Sequence, residues 1–118
     1  PWYVVKKDIK KNIVYVAQGG DHLALFSDEL IASNIFINEN IEDRLPMKCY
    51  AKIRYRDDDK PCQIISLKNN QCYIKFDKKI KAITKGQSIV LYNKSGLCIG
   101  GGIIKKRNIP YLGKVLHE

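Results

Sequence analysis

Across residues 47–56 the apolar and polar positions alternate without a break. Met47, Cys49, Ala51, Ile53 and Tyr55 fall on one set, and Lys48, Tyr50, Lys52, Arg54 and Arg56 on the other. Successive side chains of a strand point to opposite faces, so this segment predicts a half-buried strand with a core face and a basic face. The same period recurs where Cys72, Ile74 and Phe76 oppose Tyr73 and Lys75. Two apolar runs, 2–6 and 13–17, flank a polar stretch and predict a hairpin. A Gln-Gly-Gly-Asp-His break at 18–22 precedes a third apolar run at 30–37. Further short strands are predicted at 62–67, 71–76, 88–92 and 97–104, separated by Asp-, Asn- and Gly-containing turns. No window of 12 or more residues carries a period near 3.6. The 17 Ile and 6 Val against 5 Ala favour pleated surfaces over helices. Five or six short strands at this spacing suggest an all-β chain whose later part closes into a small barrel and so removes exposed edges. The tail from Lys105 is basic and is expected to fray.

Charge divides the chain at an acidic, Pro-terminated stretch, 38–46, the candidate linker. Residues 1–46 carry 5 basic and 7 acidic groups, whereas 47–118 carry 16 and 5. The expected organisation is therefore a small β unit with linker at 1–46 and a basic barrel at 47–118. A length of 118 residues fits one domain or two very small ones and is too short for a large fold around a buried cofactor. No apolar run is long enough for a membrane helix. The overall balance of +9 argues for an anionic partner. The chain starts at Pro1 with neither Met nor leader, so a fragment of something longer is expected.

The stripe Lys48-Tyr50-Lys52-Arg54-Arg56 carries the clearest functional signal. Positions i and i+2 on a strand face are ~6.6 Å apart, which lines up four cations and a ring over ~26 Å. Cations neutralise phosphates and release counterions, and a ring or guanidinium stacks on an unpaired base. A solvated outer strand face is the plainer alternative, and the excess charge of 47–118 tips the balance toward nucleic acid. The remaining motifs favour plain readings. Cys49, Cys62, Cys72 and Cys98 include no paired metal-ligand spacing and are read as buried free thiols. Gly100-Gly101-Gly102 lies between strand-like residues rather than before a helix, so it reads as a bulge or close backbone approach, not as a phosphate loop. Asp21-His22 with Ser27 and Asp28 lacks an oriented base or an oxyanion site, and His22 is read as a local hydrogen-bonding residue. Asp57-Asp58-Asp59 lacks the spacing of a calcium loop and reads as a solvated turn. No catalytic, cofactor or metal residue is assigned in this chain.

PWYVVKKD at 1–8, QGGDH at 18–22 and SDELIAS at 27–33 resemble the middle of the bacterial tRNA-specific 2-thiouridylases. AKIRYR at 51–56, Pro61-Cys62, IKFD at 74–77, AITKGQSIVLYN at 82–93 and LCIGGGII at 97–104 resemble their C-terminal barrel in the same order. Gly20 departs from the family's usual Gly-His-Asp-His, which touches only the details of that turn. The resemblance implies a truncated central β domain followed by a six-stranded barrel like the second domain of elongation factor Tu. It also implies an enzyme in which ATP activates the C2 oxygen of the wobble uridine of tRNA Lys, Glu and Gln, and an enzyme persulfide supplies sulfur. The ATP loop and both catalytic cysteines of that family belong to an N-terminal domain that this sequence lacks. The fragment is thus expected to hold tRNA and to be inactive alone, with ATP bound in the missing domain. The expected partners of the whole enzyme are tRNA and a sulfur-relay donor protein, with no DNA and no membrane, in the cytoplasm. The resemblance places tRNA contacts at Arg54, Tyr55 and Gln87, and the basic face adds Lys52 and Arg56. For Tyr55 the two readings conflict, since alternation sends it to the core. The rivals are a translation-factor-like RNA-binding barrel and a cofactor-binding oxidoreductase barrel.

Overall fold

Nine strands and two single 3-10 turns make up the described chain. The computed structural model describes the backbone of residues 1–111 and 114–117, and the side chains of residues 1–108. The strands are β1 (Trp2–Asp8), β2 (Ile13–Gln18), β3 (Phe26–Ile37), β4 (Met47–Lys52), β5 (Lys60–Lys68), β6 (Gln71–Lys81), β7 (Ser88–Tyr92), β8 (Cys98–Tyr111) and β9 (Lys114–His117). β1 and β2 form their own antiparallel sheet. The others run in the order β3-β6-β5-β4-β7-β8, and β8 returns to pair with β3, so six strands close a barrel. β9 pairs with the end of β8. The fold is all-β, with the barrel that the alternating pattern predicts.

Local chemistry sets the turns. In the first hairpin the Asp8 carboxylate accepts from the Lys11 amide at 3.0 Å, and Asn12 closes the loop at φ 55°. Asn69 and Asn70 both take positive φ between β5 and β6, the two-residue hairpin geometry whose twist matches the strands it joins. The inward positions form one core that includes Leu30, Ile53, Ile64, Ile74, Leu91, Ile99 and Ile104. A second, small cluster of Val5, Ala17, Ala24 and Leu25 lies under the first hairpin.

Three expectations are corrected. First, the barrel starts before the expected division at 46/47. β3 pairs with β6 on one side and β8 on the other. The acidic stretch 38–46 is a connection within the barrel, and its Ile41 is 1% exposed in the core. Charge marks which groups face solvent and carries no record of strand pairing, so the charge division misplaced this strand. Second, the basic tail does not fray at Lys105. β8 continues to Tyr111, with Lys106 opposite Ile31 and Arg107 opposite Leu30.

Third, Cys98 is exposed, while Cys49, Cys62 and Cys72 are buried. The register slips between Leu91 and Tyr92, so that Gly100 opposes Leu91 and Cys98 opposes Tyr92. Ile99 takes the inward place and Cys98 is turned out. Cys49 and Cys62 are direct partners on β4 and β5, with their sulfurs 3.6 Å apart. That contact and burial push the Cys62 thiol far above its usual range, and burial pushes Cys72 up to about 12. Burial shields Cys49, Cys62 and Cys72 from a reagent, so a native-state thiol titration is expected to show one fast group and three slow ones. Unfolding should release the slow three. Cys98→Ser should remove the fast phase alone; a fast phase that survives this change would refute the placement.

Candidate nucleic-acid interface

β4 presents Lys48, Tyr50 and Lys52 outward while Cys49 and Ala51 point into the core. The strand ends at Lys52, and the chain turns through 54–57, closed by the Asp57 amide donating to the Arg54 carbonyl at 3.2 Å. This turn resolves the conflict at Tyr55. Alternation continues only as far as Ile53, which is buried, and Tyr55 then projects with 90% of its surface exposed. Arg56 is exposed beside it in the same turn.

Arg54 organises that turn. Its guanidinium donates to the carbonyls of Lys81 at 2.6 Å and Ala82 at 2.7 Å, and to the Asp57 carboxylate at 3.2 Å. The planar fork thereby ties the end of β6 to the β4–β5 turn, with part of its five-donor set used on the protein itself. Lys52 pairs with Asp59 at 3.7 Å, and its ammonium lies 5.7 Å from the centre of the Tyr92 ring. Lys60 pairs with Asp57 at 3.6 Å. The Asp57-Asp58-Asp59 run is therefore more than a solvated turn: two of its carboxylates partly neutralise the cations around them. These pairs are half-exposed, where such contacts contribute little to stability, so their effect here is to hold geometry.

Gln87 reaches the same place from the other side. Gly86, at φ 92°, makes the turn, and its amide donates to the Ile104 carbonyl at 2.8 Å. The Ile104 amide in turn donates to the Gln87 carbonyl at 2.8 Å. The backbone at Gln87 is thus fixed on β8 while its side chain is exposed. β7 pairs with β4 through Tyr92 opposite Tyr50 and Val90 opposite Lys52. The result is a surface groove of about 640 Å³ whose lining includes Lys52, Arg54, Tyr55, Gln87 and Tyr92. Four of the five residues singled out from sequence meet there, and Arg56 is outside its lining. Tyr92 was missed. Applying the same two-residue period to β7, where Ile89 and Leu91 are buried, would have turned Ser88, Val90 and Tyr92 outward and found it.

The glycine triplet offers no phosphate cradle. A Cβ at Gly101 would lie 2.5 Å from the Ile89 carbonyl oxygen, and one at Gly102 would lie 2.7 Å from that of Ser33. The space an anion would need is filled by neighbouring strands, so these residues do not fit ATP. Ser27, considered with His22 as a catalytic group, is fully buried and bonded to Arg107, and His22 accepts from the Ala24 amide at 3.0 Å.

Residues 27–104 match the family described as the aminomethyltransferase beta-barrel domain. The chain belongs to that family. The match begins one residue into β3, in accord with a barrel that includes this strand. About nine tenths of the chain is similar to the C-terminal part of proteins named tRNA-specific 2-thiouridylase. The protein of Legionella pneumophila (strain Lens) is 47% identical over 106 residues, covering 90% of this chain and 29% of the relative. That of Coxiella burnetii (strain CbuK_Q154) is 44% identical over 104 residues, covering 88% and 28%. That of Vibrio vulnificus (strain YJ016) is 45% identical over 107 residues, covering 91% and 28%. The chain thus spans less than a third of the length of these curated relatives.

Proposed function

We propose that this barrel is the tRNA-holding C-terminal part of a tRNA-specific 2-thiouridylase. The observation that carries the reading is the convergence of Arg54, Tyr55 and Gln87 on one groove of a barrel whose residues from 26 onward carry 17 basic and 10 acidic groups. In this reading Tyr55 stacks on an unpaired base, Gln87 donates to phosphate or sugar, and Arg56 neutralises a phosphate at the rim. Arg54 acts chiefly as a positioning residue that holds the Tyr55 turn, and Lys52 adds charge along the groove floor. The hairpin β1–β2, which shares a small apolar cluster with the 3-10 turn Leu23–Leu25, is the end of a central β domain. The chemistry belongs to the rest of the longer enzyme: ATP-dependent 2-thiolation of the wobble uridine of tRNA Lys, Glu and Gln, in the cytoplasm, with sulfur from a relay protein. The supports for this are the names and lengths of the relatives.

The test is tRNA binding by this chain. Base–aromatic stacking contributes about 1–3 kcal/mol, so Tyr55→Ala should weaken binding about tenfold while Tyr55→Phe retains it. Arg56→Ala should flatten the dependence of log affinity on log salt by about 0.7–0.9. Unchanged affinity for both Tyr55→Ala and Gln87→Ala at low salt, with the fold intact, would refute the reading.

A further inference from the structure

On the side of the barrel away from this groove, four strands bring one residue each into a row. Ser66 on β5 opposes Tyr73 on β6, Tyr73 opposes Ile31 on β3, and Ile31 opposes Lys106 on β8. At ~4.8 Å between strands the row spans ~14 Å. In the ring of six strands, β3 stands three places from β4 and β6 three places from β7, so this row and the Tyr55 groove occupy opposite faces. The row lies in a cavity of about 350 Å³, whose lining also includes Glu29 and Lys68.

This face is shaped by irregularities. The pairing slips between Ser27 and Glu29, between Ile31 and Ala32, and between Ile64 and Ser66. The last two are one-residue offsets, as in a bulge, the first is a larger break in pairing, and all three border the same cavity. Asn108 holds the rim: its side-chain oxygen accepts from the amides of Asp28 at 3.2 Å and Glu29 at 3.1 Å. Its amide nitrogen donates to the Asp28 carboxylate at 2.8 Å. The Glu29 backbone is thereby fixed, and its carboxylate beside Tyr73, together with burial, pushes the phenol up to about 12.

We infer that this cavity binds one nucleoside 5′-phosphate unit whose base carries an exocyclic amino group. Ile31 gives an apolar floor and Tyr73 a ring wall. Glu29 lines the same cavity, and a carboxylate, with about four lone-pair sites, accepts from the base amino group. Lys68 and Lys106, both exposed at the margin, meet the phosphate. A cavity of this size falls in the range that takes small ligands. The unit is either an unpaired nucleotide of a bound RNA or a free nucleotide. The first source rests on the function proposed above, and the second does not.

The experiment titrates AMP, GMP, CMP and UMP into the isotope-labelled chain and follows backbone amide signals. Saturable shifts at Ile31, Ser66 and Tyr73 are expected, with UMP about tenfold weaker for want of the amino donor. Glu29→Gln should weaken the amino-bearing nucleotides about tenfold, and Lys68→Ala with Lys106→Ala should weaken all four. Tyr55→Ala and Gln87→Ala should leave these shifts unchanged. Displacement of the bound mononucleotide by tRNA would assign the site to RNA, and its failure would assign it to a free nucleotide; either supports the pocket. Shifts confined to Tyr55 and Gln87, no shifts at all, or shifts undiminished in a folded Glu29→Gln variant would overturn it. Mononucleotide binding without tRNA binding would sink the function proposed above and leave the pocket standing. tRNA binding without mononucleotide shifts would do the reverse.

Discussion

Gly100→Ala is expected to destabilise the barrel by at least about 3 kcal/mol, a large part of the stability of a domain this size. Gly100 lies on β8 between Ile37 of β3 and Leu91 of β7, at the seam where the sheet closes on itself. A Cβ there would overlap the Phe36 carbonyl oxygen and would lie 3.0 Å from the Ile37 Cα. The obstruction is backbone on a paired strand, so no side-chain rotation relieves it, and relief requires β3 and β8 to part. The φ of 157° adds conformational strain for any other residue. Gly96→Ala is the matched control. It sits at φ 88° with nothing within 4 Å of an added Cβ, so it should lose only about 1 kcal/mol, from the positive φ alone. Denaturant unfolding of the two variants separates steric closure from backbone preference. Equal losses would mean that the seam tolerates expansion.

Arg107→Ala should cost about 3 kcal/mol and should act on the hairpin first. The side chain is 5% exposed. It donates to the Val5 carbonyl at 3.2 Å, the Ala24 carbonyl at 3.1 Å and the Ser27 hydroxyl at 2.9 Å. One guanidinium thus ties β1, the 3-10 turn Leu23–Leu25 and the start of β3 to β8. Its removal leaves buried acceptors without these donors, and burying a polar group without a partner is costly. Amide exchange should show lost protection in β1 and β2 while Ile64, Ile74 and Leu91 keep theirs. Arg107→Met, which preserves the apolar bulk of the stem, should recover little, because the deficit is in hydrogen bonds. Full recovery would show that packing, not donation, makes the joint.

The sequence by itself determined the strands that obey a strict period of two. Cys49, Ala51, Ile53, Cys72, Ile74 and Phe76 are all buried, as their alternation requires. Side-chain direction in a strand is a local property, so it is legible from neighbours in the chain. The turn residues Asn69, Asn70 and Gly86 were legible for the same reason, since each answers a local demand on φ. Tertiary structure decided everything that depends on which strand lies beside which. The place of β3 in the barrel, the burial of Arg107 and the outward turn of Cys98 follow from pairings across long stretches of chain and from slips in their register. The candidate groove shows both contributions. The sequence marked Arg54, Tyr55 and Gln87, but only the turn after Lys52 and the pairing of β4 with β7 bring Tyr55 out of the core and set Gln87 and Tyr92 beside it. The physical reason is that periodicity encodes the face a side chain takes. Its neighbours on that face are fixed only when the sheet closes and the register slips are set.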